Sequence, residues 1–143
     1  MLGEKPDPNI REPFLWDEKE NDTGRTTWME PEYSTDETVN PLALQKDDPE
    51  SFFSHYKEIT GLRKNHEVLA VGDLQLMERS FPKAVMAYQR THDNEVVKVF
   101  HNVGEEDVEL ELDEKTEILY QFGEGNVENG KLSLAGFSSI VLK

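Results

Sequence analysis

The chain has 143 residues, with 30 acidic side chains against 15 basic ones and a formal net charge of −15. That length suits one domain with a moderate core. The charge argues against nucleic acid, which needs a basic face, and against anionic membrane surfaces. Cysteine is absent, so disulfides, thiolate metal sites and thiol nucleophiles are excluded.

Residues 1–47 carry Pro6, Pro8, Pro13, Pro31 and Pro41 with Gly3 and Gly24, and no helical or alternating apolar period survives there. They nevertheless hold Phe14, Leu15, Trp16, Trp28, Tyr33, Leu42 and Leu44. The expectation is a long irregular segment shaped by a surface it packs on. The N-terminus is polar from Gly3 onward and does not read as a signal peptide. No apolar run approaches the 18 or so residues of a membrane span. The chain therefore reads as soluble with no targeting segment, its compartment unknown.

A single amphipathic helix is expected from Asp48 to His66. Asp48 is a suitable N-cap, Pro49 suits the first helical position and Glu50 favours the positive end of the dipole. A helical period puts Phe52, Phe53, Tyr56, Ile59, Thr60, Arg63 and His66 on one face. That stripe needs a large partner surface, and if left bare in the isolated chain it predicts self-association.

From Val68 the pattern changes to alternation. Strands are expected at Asp73–Ser80, Ala84–Thr91, Glu95–Asn102, Asp107–Leu112, Glu117–Gln121, Lys131–Leu134 and Ser138–Leu142. Asn129-Gly130 is a strong two-residue hairpin signal, and His92-Asp93-Asn94 marks a second tight connection. The fold class is thus mainly β: an antiparallel, Greek-key-like sandwich of about seven strands, preceded by one helix and the irregular segment. Twelve acidic residues crowd positions 92–128 against Lys98 and Lys115, and read as a solvated surface.

Few motifs carry chemistry. His55, His66, His92 and His101 show no metal spacing, and neither Asp47-Asp48 nor Glu105-Glu106-Asp107 has the alternating ligands and glycine of a calcium loop. No phosphate loop or serine elbow is present. No metal ligands and no catalytic residues are assigned. The most informative stretch is Gly3-Glu4-Lys5-Pro6-Asp7-Pro8-Asn9-Ile10-Arg11-Glu12-Pro13-Phe14-Leu15-Trp16. Asp7 and Arg11 sit four apart around a proline turn. They can pair with each other, or offer an acceptor and a fork of donors to vicinal hydroxyls.

That stretch resembles the loop after the last barrel strand of the α-amylase family of glycoside hydrolases, where Gly-x-Lys-Pro-Asp-x-x-Ile-Arg-x-Pro-Phe-x-Trp is typical. The resemblance continues through Thr27-Trp28, Val39-Asn40, Gln45, Asp48-Pro49-Glu50-Ser51, Tyr56-Lys57 and Leu62-Arg63-Lys64-Asn65-His66, and then through the strands. It implies that residues 1–66 are the end of a catalytic (β/α)8 barrel and residues 67–143 a C-terminal β-sandwich domain. It implies that Asp7 and Arg11 bind glucose units of an α-glucan or maltooligosaccharide, with Trp16 and Trp28 lining the cleft or packing. The family's catalytic carboxylates, and the calcium its members often bind, lie outside this segment, so no cofactor is expected here. The isolated chain is expected to be inactive. Two other readings stay open: a stand-alone carbohydrate-binding sandwich, which needs coplanar aromatics facing outward, and an acidic interaction or scaffold protein.

Overall fold

A computed structural model describes residues 11–18, 21–77, 81–112 and 116–143. The chain divides into two compact units, Met1–Thr60 and Gly61–Lys143.

In the first unit the described residues before helix α1 (Leu42–Asp47) form no helix or strand, and a short turn joins α1 to helix α2 (Phe52–Asn65). Residue Pro41 offers no side-chain cap to α1. Its first two N–H groups instead donate to the carbonyls of Leu15 and Trp16, at 3.1 and 3.0 Å, so the loop satisfies donors that every helix start leaves free. The expected helix start at Asp48 is corrected. Residue Asp48 precedes a proline and stays extended, at φ −102 and ψ 111, as the ring of Pro49 demands. Its carboxylate accepts from the Glu50 N–H at 2.9 Å, closing a turn. The cap of α2 is Ser51, whose Oγ accepts from the Ser54 N–H at 3.1 Å and donates to the Gln45 carbonyl at 2.6 Å. One hydroxyl thus joins the end of α1 to the start of α2.

Among the described residues the second unit holds the end of α2, a short helix α3 (Glu67–Val71), and eight strands. The strands are β1 (Asp73–Leu76), β2 (Val85–His92), β3 (Glu95–Asn102), β4 (Val108–Glu111), β5 (Ile118–Phe122), β6 (Gly125–Glu128), β7 (Lys131–Leu134) and β8 (Ser138–Leu142). They form an antiparallel sandwich of two sheets, ordered β1-β2-β3-β8-β5 and β4-β7-β6. The expected fold class is observed, and the described residues hold one strand and two short helices more than expected. The expected strand Asp73–Ser80 is seen as far as Leu76, and positions 78–80 lie outside the described residues. Strand β6 escaped the sequence pattern because Gly125 and Asn126 are poor strand formers. Asn129 and Gly130 join β6 to β7 with φ of 53 and 78, the left-handed pair of a type I′ turn.

Alternation along the strands builds two cores. Phe100, Ile140 and Leu142 point between the sheets and meet Leu110, Leu132 and Leu134 of the smaller sheet. On the opposite face of the five-stranded sheet, Val97, Val99 and Val141 are covered by Val68 and Leu69 of α3, with Leu62 at the margin. Helix α3 is secured by arginines. The Arg63 guanidinium donates to the Leu69 and Ala70 carbonyls at 2.9 and 3.0 Å, and Arg90 donates to the Gly72 carbonyl at 2.6 Å. Residue Arg63, expected on the apolar stripe, therefore serves as a cap for the next helix.

The rest of the stripe is half-buried to exposed. No residue of α2 is buried, and Phe52 and Tyr56, 76% and 57% exposed, lie against each other with ring centroids 6.1 Å apart.

Asn102, 1% exposed at the end of β3, ties the loops at one end of the sandwich together. Its Nδ2 donates to the Glu106 carbonyl at 2.8 Å and the Ala135 carbonyl at 2.9 Å, and its Oδ1 accepts from the Gly104 N–H at 3.1 Å. Truncation would leave these part-buried groups without their partner, each costing about 1 kcal/mol. Asn102→Ala is expected to lower the unfolding free energy by about 3 kcal/mol, read as a lower urea midpoint with an unchanged slope. A midpoint within error of the parent would show that the network carries no stability.

Candidate functional site

Of the two residues expected to bind sugar, Asp7 lies outside the described residues. Arg11 is the first described residue and is exposed. The chain beyond it is held at nearly every position. Glu12 is gripped by backbone donors, Pro13 is fully buried, and Leu15 is buried while its carbonyl caps α1. The Trp16 N–H donates to Asp22 Oδ2 at 3.0 Å. A segment without periodic structure is thus ordered by separate polar anchors, each satisfying a backbone group.

Glu12 is the strongest anchor. Its Oε2 accepts from the Ser34 N–H at 2.7 Å and the Tyr33 N–H at 2.9 Å, and its Oε1 accepts from the Glu32 N–H at 3.0 Å. Three consecutive amides turned toward one carboxylate form a concave anion nest. Arg25 braces the same bend by donating to the Ser34 carbonyl at 2.5 Å. Partial burial of Glu12 pushes its pKa up, but hydrogen bonds from Ser34, Tyr33 and Glu32 outweigh that and hold it below the ordinary glutamate value. Sequence reading missed Glu12. Its partners lie some twenty positions away and are main-chain groups, which leave no mark in residue type.

The aromatics expected near the cleft are both exposed. Trp16 meets Phe14 edge to face with ring centroids 4.7 Å apart, while Trp28, 57% exposed, stands on another stretch of the loop. Neither tryptophan is a core residue.

The sandwich offers less. Of its candidate stacking aromatics, Phe100 fills the core between the sheets, and Tyr88 and Tyr120 pack beside the valine cluster under α3. Phe122 and Phe137 are exposed. An open depression of about 500 Å³ on the smaller sheet is lined by Asp107, Glu109, Glu124 and Asn126, with no aromatic ring. His101 Nδ1 lies 2.7 Å from Ser139 Oγ, and burial lowers its pKa. Among the described residues no group of three or more His, Asp or Glu could hold a metal, and no helix is long and apolar enough to cross a membrane.

Known proteins resemble both units. The family model for the C-terminal domain of α-amylase SusG matches residues 85–141. Alpha-amylase 3 of Dictyoglomus thermophilum is 29% identical over 147 residues, covering 100% of this chain and 29% of that protein. An oligo-1,6-glucosidase of Bacillus cereus is 32% identical over 154 residues, covering 94% of this chain and 25% of that protein. The crystal structure of the trehalulose synthase MutB from Pseudomonas mesoacidophila superposes with a TM-score of 0.78 at 26% identity, over 94% of this chain and 25% of that one. An α-amylase from H. orenii shares the fold, with a TM-score of 0.77 at 24% identity, over 96% of this chain and 29% of that one. The chain spans less than a third of the length of each of these relatives.

The lowered pKa of Glu12 has a pH signature. A carboxyl with a folded pKa below its unfolded one stabilises the fold above the unfolded value, and that contribution is lost as pH falls through the folded value. Amide hydrogen exchange at Glu32, Tyr33 and Ser34 is expected to be slow at neutral pH, after correction for intrinsic rates. Protection should fall at pH values below the ordinary glutamate range, and Glu12→Gln should remove it at all pH. Equal protection in the variant at neutral pH would show that the nest does not depend on the charge.

Proposed function

We propose that this chain, which belongs to the α-amylase family through its C-terminal region, is the part of an α-glucan hydrolase that supplies a sugar-binding loop and a stabilising sandwich. In this reading residues 1–66 are the end of a (β/α)8 barrel and residues 67–143 are the C-terminal domain. The complete protein hydrolyses α-glucosidic bonds of maltodextrins or starch with retention, through a covalent intermediate on a carboxylate outside this segment. The isolated chain binds no catalytic water and breaks no bond.

The observation that carries the reading is the extent of the likeness. It covers the loop, the helices and the sandwich together, in the order in which the α-amylase relatives have them. Two structural features support it. Phe52 and Tyr56 form an apolar stripe on a helix with no buried residue, the condition of a barrel helix seen without the barrel sheet. Four of the six sandwich aromatics, Phe81, Tyr88, Phe100 and Tyr120, are used for packing, which suits a structural domain better than a stacking platform.

Within the loop, Asp7 and Arg11 hold a glucose unit on the non-reducing side of the cleaved bond. The Arg11 fork donates to two vicinal hydroxyls and Asp7 accepts from them. Trp16 and Trp28 present flat apolar faces to the cleft. The substrate is a neutral polymer, so the negative surface does not repel it. Without the barrel, the stripe on α2 associates with a second copy of the chain.

Arg11→Ala in the complete protein is expected to lower kcat/KM on maltooligosaccharides about 10- to 100-fold, the weight of one or two hydrogen bonds to a charged group. Unchanged kinetics on short substrates would remove Arg11 from the site. The isolated chain should sediment as a concentration-dependent dimer that Phe52→Ser with Tyr56→Ser converts to monomer. A monomer at every concentration would refute the self-association.

A further inference from the structure

We infer that Glu12 is a positioning residue for Arg11: the backbone nest at 32–34 clamps the Glu12 carboxylate and so fixes the main chain that presents the guanidinium. The inference rests on the proposed role of Arg11 and adds a residue to it. Arg11 carries a long side chain with many rotamers, and its reach to a sugar depends on where its Cα is held. The next residue, Glu12, receives three N–H donors between 2.7 and 3.0 Å from Glu32, Tyr33 and Ser34. The residue after that, Pro13, is fully buried with its φ fixed by the ring. Two successive positions that cannot swing leave the Arg11 Cα little freedom on its C-terminal side.

The donor side is braced as well. Arg25 holds the Ser34 carbonyl, and Thr35 and Thr38 close the following bend, with the Thr35 N–H donating to Thr38 Oγ1 at 2.9 Å. Glu12 thus links two stretches of loop about twenty residues apart, neither of which itself forms a helix or strand. A charge-assisted contact to several amides suits such a link. An acceptor-only carboxylate takes all the bonds at once, whereas an amide side chain has one acceptor oxygen and would turn donors toward donors. The linkage is made wholly within the first unit.

A positioning residue acts through its neighbour, so a double-mutant cycle exposes it. The complete protein is assayed on maltooligosaccharides, well below the unfolding midpoint of its least stable variant. Arg11→Ala should lower kcat/KM about 30-fold and Glu12→Gln about tenfold, mainly through KM. The double variant should fall no further than Arg11→Ala alone, because a misplaced alanine has nothing to lose. Two results overturn the inference while leaving the role of Arg11 intact: a Glu12→Gln enzyme with unchanged kcat/KM, or losses that multiply in the double variant. A silent Arg11→Ala overturns the reading of Arg11 and this inference with it. Ser34→Ala, which removes the weaker hydroxyl bond to Glu12 and leaves the main-chain donor in place, should lose clearly less kcat/KM than Glu12→Gln. A loss there as large as that of Glu12→Gln would assign the effect to the Ser34 side chain and overturn the nest.

Discussion

Strand β3 has no free side. It is hydrogen-bonded to β2 along one edge and to β8 along the other. One face turns Phe100 into the core between the sheets, while the other turns Val97 and Val99 under α3. A strand committed in four directions cannot slip by one residue without exchanging both faces. Its partner β8 is nearly forty residues away in sequence, so the sandwich closes only when the last strand of the chain arrives. The register runs Lys98 against Leu142 through Asn102 against Ser138. The polar end of that ladder is where Asn102 and Ser138, both buried, gather the loops. Folding of the second unit is therefore bound to a non-local pairing, and the local hairpins serve to bring that pairing within reach.

How much of this was legible depends on the range of the interaction. The strands were legible because alternation is written in adjacent residues: Val97, Val99, Leu110, Leu132 and Leu134 mark their inward faces without help from elsewhere. The Asn129-Gly130 turn was legible because only a few residue types tolerate its backbone. Helix α3 was not. Five residues are too few to show a period, and what makes them helical is the valine surface they cover together with carbonyls held by Arg63 and Arg90. The start of α2 was misplaced because Asp48-Pro49 satisfies the rules for a helix cap and the rules for a turn equally well. Ser51 could decide between them only through Gln45, on the preceding helix.

The candidate site was half legible. The Asp7–Arg11 spacing and its resemblance to a known loop pointed to a sugar-binding segment, and the structure puts Arg11 and Trp16 on the surface. The support beneath Arg11 was invisible. Sequence suggested a loop shaped by a surface it packs on, whereas the described residues show much of its order coming from within, through Glu12, Asp22 and the carbonyls of Leu15 and Trp16. Irregular backbone of this kind is stabilised one group at a time, and no periodicity records it.

The acidic surplus can be placed on this framework. The smaller sheet ends in two open strands, β4 and β6. Their outward positions carry Glu109, Glu111 and Glu128, with Lys131 on the central strand reaching Glu109 at 2.6 Å and Glu111 at 3.9 Å. An open strand is a template for adding another, and a row of like charges beside it makes a second copy an unwelcome neighbour. The lysine lowers repulsion within the sheet and leaves the outer rows negative. The charge that reads as a solvated surface thus also lines both outer strands of the smaller sheet, where like charges oppose the pairing of a further strand.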